Sequence, residues 1–286
     1  MFQLLFNGIV TGFLVALPAV ALSLTFSVLR FANFAIGAML TLGAYSVYLF
    51  NSVLGLNLLL ATVLGAAVSA VVAVLVDWLV FRPLRDRSSV TLLVASMGVA
   101  FVLENGVRLL AGSAPLSYAV ETARPLRGWG LRVNHEQLLG IGVSLAALAL
   151  VWVLLRSSRQ GRAMRAIADN PALASVRGIH AGRVISLTWA MAGALAAVAG
   201  MLIGLDTTLE PLMGWNYVLP IFAAAILGGM SNPLGAVAGA LCMGVIAELS
   251  TLVLPPHYRA LAAFVVLSAL LLARPHGLFG SRWVTK

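Results

Sequence analysis

The residues able to do chemistry are few in this sequence, and they are scattered. Lys286 is the only lysine, and a Walker A loop needs a Gly-Lys-Ser/Thr run to hold phosphates. No such loop exists in these 286 residues, so the chain does not hydrolyse ATP by that route. The histidines are His135, His180, His257 and His276, and no two have the spacing of a metal site such as His-Glu-x-x-His. Cys242 stands alone, which leaves no intrachain disulfide and no cysteine cluster for zinc or iron–sulfur. It reads as a small apolar residue in a helix. An enzyme would want nucleophile, base and metal groups clustered, and none cluster here, so no catalytic residue and no cofactor is expected. Two kinds of feature remain. One is a handful of polar groups set in apolar runs: Asn33, Asp77, Glu104, Asn105 and Glu248. The other is an arginine-rich segment between residues 156 and 183.

Those groups must be positioned by elements built almost without charge. The chain is 61% hydrophobic and 9% charged, with a mean hydropathy of +1.02. A soluble domain carries about 25% charged and about 45–50% apolar residues. There is too little polar side chain to cover a water-facing globule, which excludes a soluble enzyme, a disordered chain and a disulfide scaffold. The fold class expected is all-α, a polytopic transmembrane helix bundle. Crossing the hydrocarbon core takes about 20 apolar residues. Candidate spans lie near residues 4–29, 34–50, 58–80, 90–111, 137–155, 184–204, 217–229, 234–254 and 259–273. The 34–50 and 217–229 pieces are short enough to be re-entrant or half-helices, so the count is about eight to ten with nine central. Pro18 and Pro220 are expected to kink or break their helices. Met1-Phe-Gln-Leu-Leu-Phe lacks a basic n-region, so the first apolar run reads as a retained span rather than a signal peptide.

The net charge of +9 points to topology rather than to nucleic acid, because the arginines fall in short loops between apolar spans. With nine spans, one side receives Arg30, Arg82, Arg85, Arg87, Arg156, Arg159, Arg162, Arg165, Arg177, Arg183, Arg274, Arg282 and Lys286. The other receives Arg124, Arg127, Arg132 and Arg259. The positive-inside rule makes the first side cytoplasmic, with the C-terminus inside and the N-terminus outside. Glu121, Glu136, Asp206 and Glu210 fall on the outer side. Small residues recur in 193–204 and 228–244, as expected where helices pack closely in lipid. Residues 112–136 form the longest outer piece, open to two readings: a connector anchored by Trp129, or a docking surface for an external partner.

The inner segment carries helix punctuation. Residues 161–168 suit a short helix, with Met164, Ile167 and Ala168 on one face and Arg162 and Arg165 toward another. Asn170 is a good N-cap and Pro171 suits the first helical position. A second short helix then runs to Arg177, Gly178 supplies the stop, and Leu173 and Val176 share a face. Two readings are open: an amphipathic loop on anionic lipid, or a pair of short helices docking into a partner's groove.

Three stretches resemble the membrane permease subunits of ABC importers, specifically the branched-chain amino acid permease family. They are Arg30-Phe-Ala-Asn-Phe-Ala-Ile-Gly-Ala-Met-Leu-Thr-Leu-Gly-Ala-Tyr45, then Gly161-Arg-Ala-Met-Arg-Ala-Ile-Ala-Asp-Asn-Pro-Ala with Gly178-Ile179, then Ala273-Arg-Pro-His-Gly-Leu-Phe-Gly280 preceded by Gly228-Gly-Met-Ser-Asn-Pro-Leu-Gly235. The likeness covers nearly the whole chain. It implies one transmembrane permease domain over 1–286, with 156–183 as a cytoplasmic coupling segment. It further implies a multi-pass place in the inner (plasma) membrane, a second permease subunit in a heterodimer, two ATPase subunits inside, and a periplasmic solute-binding protein outside. The chain would supply half of the pathway for hydrophobic amino acids and no chemistry. Gly161, Arg162, Ala163, Arg165, Asp169, Asn170 and Gly178 would serve coupling to the ATPase. Permeases for urea and short amides look alike, so that substrate stays open. A stand-alone secondary transporter would favour inverted repeats and a mid-membrane ion site, and neither is visible.

The intramembrane polar groups need an explanation, since an ionisable group at a helix centre costs about 2.5–3.5 kcal/mol on insertion scales. Glu104 and Arg108 are spaced i,i+4, which suits a self-paired contact; a polar lining facing the pathway or the second subunit is the other reading, shared with Asn105. Glu248 is the stronger candidate for an interior-facing group. Asp77 is expected at the inner interface near Arg82. Asn33, between the first two spans, would either satisfy a broken backbone or contact solute. Asp206 and Glu210 flank an outer loop, either solvated or facing basic residues of a binding protein, and Trp215 and Tyr217 fit an aromatic belt.

Overall fold

The computed structural model describes residues 1–120, 126–128, 131–255, 258–274 and 277–279. The expectations placed on Glu121, Arg124, Trp129, His257, His276, Gly280, Arg282 and Lys286 lie outside the described residues. Long runs of Leu, Val and Ala, with no water to compete for backbone hydrogen bonds in the hydrocarbon, give helices. In chain order they are α1 (Phe2–Leu29), α2 (Ala35–Tyr48), α3 (Leu58–Val76), α4 (Arg82–Leu84), α5 (Ser89–Ala111), α6 (His135–Ser157), α7 (Arg159–Asp169), α8 (Pro171–Val176), α9 (Ala181–Asp206), α10 (Met213–Gly228), α11 (Pro233–Ser250) and α12 (Arg259–Ala273). A hairpin of β1 (Leu126–Gly128) and β2 (Leu131–Val133) lies between α5 and α6.

Among the described residues seven helices are long and apolar enough to cross a membrane, and α10 and α12 are shorter apolar helices. The nine expected spans are therefore all helical, seven of them full length. The 34–50 piece becomes full length because a π turn at Leu49–Val53 extends α2. A second π turn at Asp77–Phe81 links α3 to α4. Pro18 and Pro220 sit inside continuous helices.

Small residues set the packing, as they do where helices associate in lipid. Gly8 and Gly12 face α11, where an added Cβ would stand 2.8 Å from Val245 Cα and 2.8 Å from Leu241 Cα respectively. From the other side, Gly244 abuts the backbone of Gly8 and Gly12. Gly43 lies against Ala197, and Gly200 lies against the Leu40 carbonyl, which brings α2 and α9 together. Gly193 meets Ser69 and Ala73 of α3. The core formed this way is capped by an aromatic ladder. Phe31 meets Phe81 at 5.2 Å, and Phe81 stacks on the fully buried Trp189 at 4.8 Å.

The loops sort into two ends. At one, Arg30 of the α1–α2 turn donates to the Ala168 carbonyl of α7. Arg82 and Arg85 share a cavity with His180 and Arg183, and the Leu278 amide donates to the Leu227 carbonyl at 2.7 Å. At the other, Gln3 donates to the Arg132 carbonyl at 3.0 Å, and Leu116 bridges Leu209.

Replacing Gly12 by Leu is expected to lower stability by about 1–3 kcal/mol through overpacking. Gly98→Ala, where nothing lies within 4 Å of the added Cβ, is expected to leave it unchanged or raise it slightly. Thermal unfolding of the purified chain in detergent reads both.

Candidate functional site

The 156–183 segment is built by caps. Ser158 Oγ accepts from the Gly161 amide at 2.9 Å and starts α7. Asn170 Oδ1 accepts from the Leu173 amide at 3.0 Å, and Pro171 opens α8. Gly178 ends α8 with φ of 78°, in the left-handed region where glycine carries no Cβ penalty. The Gly178 amide donates to Ser175 O at 3.0 Å, and the Ile179 amide donates to Ala174 O at 3.1 Å.

Helix α7 is amphipathic. Gly161, Met164 and Ile167 are buried, and Arg159, Arg162 and Arg165 are exposed. Gly161 presses on the carbonyls of Leu154 and Leu155, so any Cβ there would displace the end of α6. Arg162 donates to the Ser157 carbonyl at 3.1 Å, and Arg165 donates to the Leu155 carbonyl. These are α6's terminal carbonyls, which lack intrahelical partners and carry the negative end of the helix dipole. Ala163 is half-buried, whereas Asp169 and Asn170 are exposed. The structure thus brings Gly161, Arg162 and Arg165 together around the end of α6, and sets Asn170 and Gly178 at the two ends of α8. Beyond the spans, α8 leaves Leu173 59% and Val176 83% exposed on the face the i,i+3 spacing assigned them.

The α7 C-terminus is tied to the break between α1 and α2 through Arg30 and Ala168. Arg30 is the one described non-glycine residue with positive φ, at 57°, a strained position for a long side chain. Three residues on, Asn33 is fully buried, and its Oδ1 accepts from the Ala35 amide at 3.1 Å. The Phe34 amide donates to Ser96 Oγ at 3.1 Å. Its carbonyl oxygen thus serves the start of α2, while its buried Nδ2 has no hydrogen-bond partner among the described residues.

Glu104 is buried and lies 3.8 Å from Arg108, the self-paired contact expected from their spacing. Asn105 points to the outside of the bundle and donates to the Phe101 carbonyl at 2.8 Å. Glu248 is buried in α11, facing inward as expected. Asp77 is 1% exposed, lines a cavity together with Arg82, and binds Arg85 through both carboxylate oxygens at 2.7 and 2.6 Å. The π turn over Asp77–Phe81 and the short α4 fold Arg85 back onto it, a register that helical spacing cannot reveal.

The end opposite the arginine-rich arm holds residues that sequence reasoning missed. Asn51 is buried in the first π turn. It donates to Leu56 O at 2.9 Å and accepts from the Ala119 amide at 3.0 Å. Tyr118 reaches from the loop between α5 and α6 into the core and donates to Ala44 O at 3.0 Å. Burial pushes its hydroxyl above the ordinary phenol range, so it stays a donor. The only hint of either was a polar residue set among apolar ones. Leu116 and Leu209 exchange amide hydrogen bonds of 3.0 and 2.9 Å, strapping the segment after α5 to the turn between Asp206 and Glu210. Trp215 is half-exposed and stacks near Phe101. Among the described residues no group of three or more His, Cys, Asp or Glu side chains could hold a metal ion.

A predominantly helical, multi-span bundle with a folded basic arm at one end is the architecture of a polytopic membrane protein. The family described as "Branched-chain amino acid transport system / permease component" matches residues 4–273, and the chain belongs to that family. It is 31% identical to the high-affinity branched-chain amino acid transport system permease protein LivH of Escherichia coli (strain K12), over 99% of this chain and 97% of that protein. It is 29% identical to the corresponding permease protein BraD of Pseudomonas aeruginosa, over 99% of this chain and 97% of that protein. A solved structure titled PsaBC from Streptococcus pneumoniae in complex with Fab has the same fold, with a TM-score of 0.50 and 15% identity. The overlay covers 95% of this chain and 92% of that one. The relatives are transport permeases, not enzymes, and the expected family and fold class both hold.

Asp77→Ala leaves Arg85 without its partner, and breaking a buried pair from one side costs about 3 kcal/mol. The variant is expected to melt earlier than wild type, with Asp86→Ala, which is exposed, as the neutral control.

Proposed function

We propose that this chain is one permease subunit of an ABC importer of branched-chain, hydrophobic amino acids. It contributes half of the transmembrane pathway, and a second, similar but distinct permease subunit contributes the rest. Two ATPase subunits bind the arginine-rich end and hydrolyse ATP there. A periplasmic solute-binding protein docks at the opposite end. Residues 1–286 act as one permease domain in the inner membrane, with 156–183 as the cytoplasmic coupling segment and the C-terminus on the same side.

The observation that carries this reading is α8. A short, doubly capped helix beyond the spans leaves Leu173 and Val176 uncovered, and an apolar pair held out by defined caps suits docking into a groove of a partner protein. Substrate class follows from the family and from the names of LivH and BraD. The coupling residues divide the work. Gly161 seats α7 on α6, Arg162 and Arg165 fasten it there, Ala163 keeps the surface low, and Asp169, Asn170 and Gly178 set the angle of α8. Closure of the ATPases moves α8 and α7, and Arg30 passes that displacement to the α1–α2 turn at Asn33. The bundle then exposes solute to the inside. Glu104, Asn105 and Glu248 serve as polar groups beside the pathway or the second subunit.

The test is ATP-dependent uptake of labelled leucine in vesicles holding all subunits. Leu173→Asp with Val176→Asp is expected to weaken ATPase capture by at least about ten-fold, since burying each apolar side chain contributes about 1.5–3 kcal/mol. Uptake should fall with it. Arg162→Glu with Arg165→Glu should reduce uptake even where the ATPase is still bound. Normal uptake in both variants sinks the coupling role, and transport of urea or an amide but not leucine moves the substrate class. Sidedness has its own check. In a Cys242→Ser background, Val176→Cys should react with a membrane-impermeant maleimide only after the cytoplasmic face is opened.

A further inference from the structure

A groove of about 960 Å³ runs between α1, α6 and α11 and ends under α7. Its depth can be read from the helices that wall it. Along α6 it extends from Leu145 to Arg156 and along α1 from Phe13 to Val28, roughly 16 and 22 Å at 1.5 Å per residue. The α6 wall matches one leaflet, half of a hydrocarbon core about 30 Å thick, and the α1 wall runs beyond it.

Its chemistry is graded along that length. The body is apolar, with Val20, Leu24, Leu148, Val237 and Leu241 among its walls. Every polar side chain lining it lies at one mouth: Ser27, Arg156, Arg165, Asp169, Ser231 and Asn232. Arg156 is held over the Trp152 ring at 5.2 Å, and Trp152 itself lines the groove, half-exposed. Arg165 uses Nη1 on the Leu155 carbonyl, and a guanidinium has five donors in all. Asp169 opposes these two cations, but Arg30, Arg159 and Arg162 add to the same end. The groove is peripheral. Leu150, Val153 and Leu154 of α6 are exposed on the outside of the bundle next to it.

An apolar slot as deep as one leaflet along α6, with a basic mouth at the interface, matches a molecule with a long apolar tail and a negative head. We propose that this groove holds one anionic phospholipid of the leaflet on the arginine-rich side. An acyl chain lies between α1, α6 and α11, and the phosphate sits on Arg156 and Arg165. The lipid then wedges between α6 and α7, at the hinge where the basic arm leaves the bundle. This holds for any membrane-embedded role of the chain and does not depend on the transported solute.

The test is native mass spectrometry of the delipidated full chain in detergent. It is titrated with phosphatidylglycerol and, separately, with phosphatidylcholine and phosphatidylethanolamine carrying the same acyl chains. Wild type is expected to retain phosphatidylglycerol in preference to both neutral-headed lipids. Arg156→Gln with Arg165→Gln should reduce that retention by about five-fold per arginine and leave phosphatidylcholine retention unchanged. Ala149→Trp with Ala238→Trp, which fills the slot, should lose adducts of all three. Should the filled variant fail to fold, the arginine pair, exposed and on the surface, still decides. Equal retention of the three lipids by wild type overturns the proposal, as does an undiminished preference in the arginine variant. Loss of the phosphatidylglycerol adduct when the second permease subunit is added would make the groove a protein interface and also overturn it.

Discussion

The structure depends on one constraint: no backbone amide or carbonyl can be left to water that the hydrocarbon does not contain. Unbroken helices meet it by themselves. Where the chain departs from a helix, buried polar side chains take up the backbone groups that are freed. Asn33 and Ser96 take up the amides freed between α1 and α2. Asn51 serves the first π turn, and Thr41 accepts from the Gly214 amide where α10 begins. Tyr118 reaches a carbonyl of α2 from the loop between α5 and α6. Each buried polar group so placed is a repair, and each marks a departure from helical geometry.

The same absence of water removes the hydrophobic drive between helices, so contact area has to come from close approach. Glycine and alanine supply it along α1–α11 and α2–α9. The result is a dense centre of α1, α2, α9 and α11, with α5 and α6 more exposed around it. Against that centre the basic arm of α7 and α8 is held by the buried Met164, Ile167 and Ala174 together with polar contacts to α6's last carbonyls and from Arg30. An arm seated at its root, with apolar residues exposed at its tip, is suited to move as a unit when something grips the tip. A lipid wedged at its root would set the rest position of that hinge.

The two ends differ in kind. At the arginine-rich end, charge and an amphipathic helix produce an open, basic surface with two cavities beneath it. At the other, short backbone bridges and buried hydrogen bonds tie the loops together. The described part of the tail also joins the basic end. Leu278 and Phe279 donate to the carbonyls of Leu227 and Gly228, and Asn232 donates to the Phe279 carbonyl at 3.4 Å. Two stretches that look independent in the sequence, 227–232 and 277–279, therefore form one backbone junction.

The sequence by itself determined whatever depends on near neighbours and on composition. Apolar runs set the helices, the arginines sorted the loops into two groups, and Asn170, Pro171 and Gly178 fixed the limits of α8, because capping acts over three or four residues. The i,i+4 pairing of Glu104 with Arg108 was legible for the same reason. Only the tertiary structure decided the partners that lie many residues apart. Arg85 on Asp77, Arg30 on Ala168, Tyr118 on Ala44 and the joining of 227–232 to 277–279 all need helices crossing or backbone leaving α-helical register. A π turn shifts every following side chain around the helix axis, and small-residue contacts set how near two helices come. Neither leaves a periodic mark in the sequence, so the long-range placement of polar groups was settled by packing.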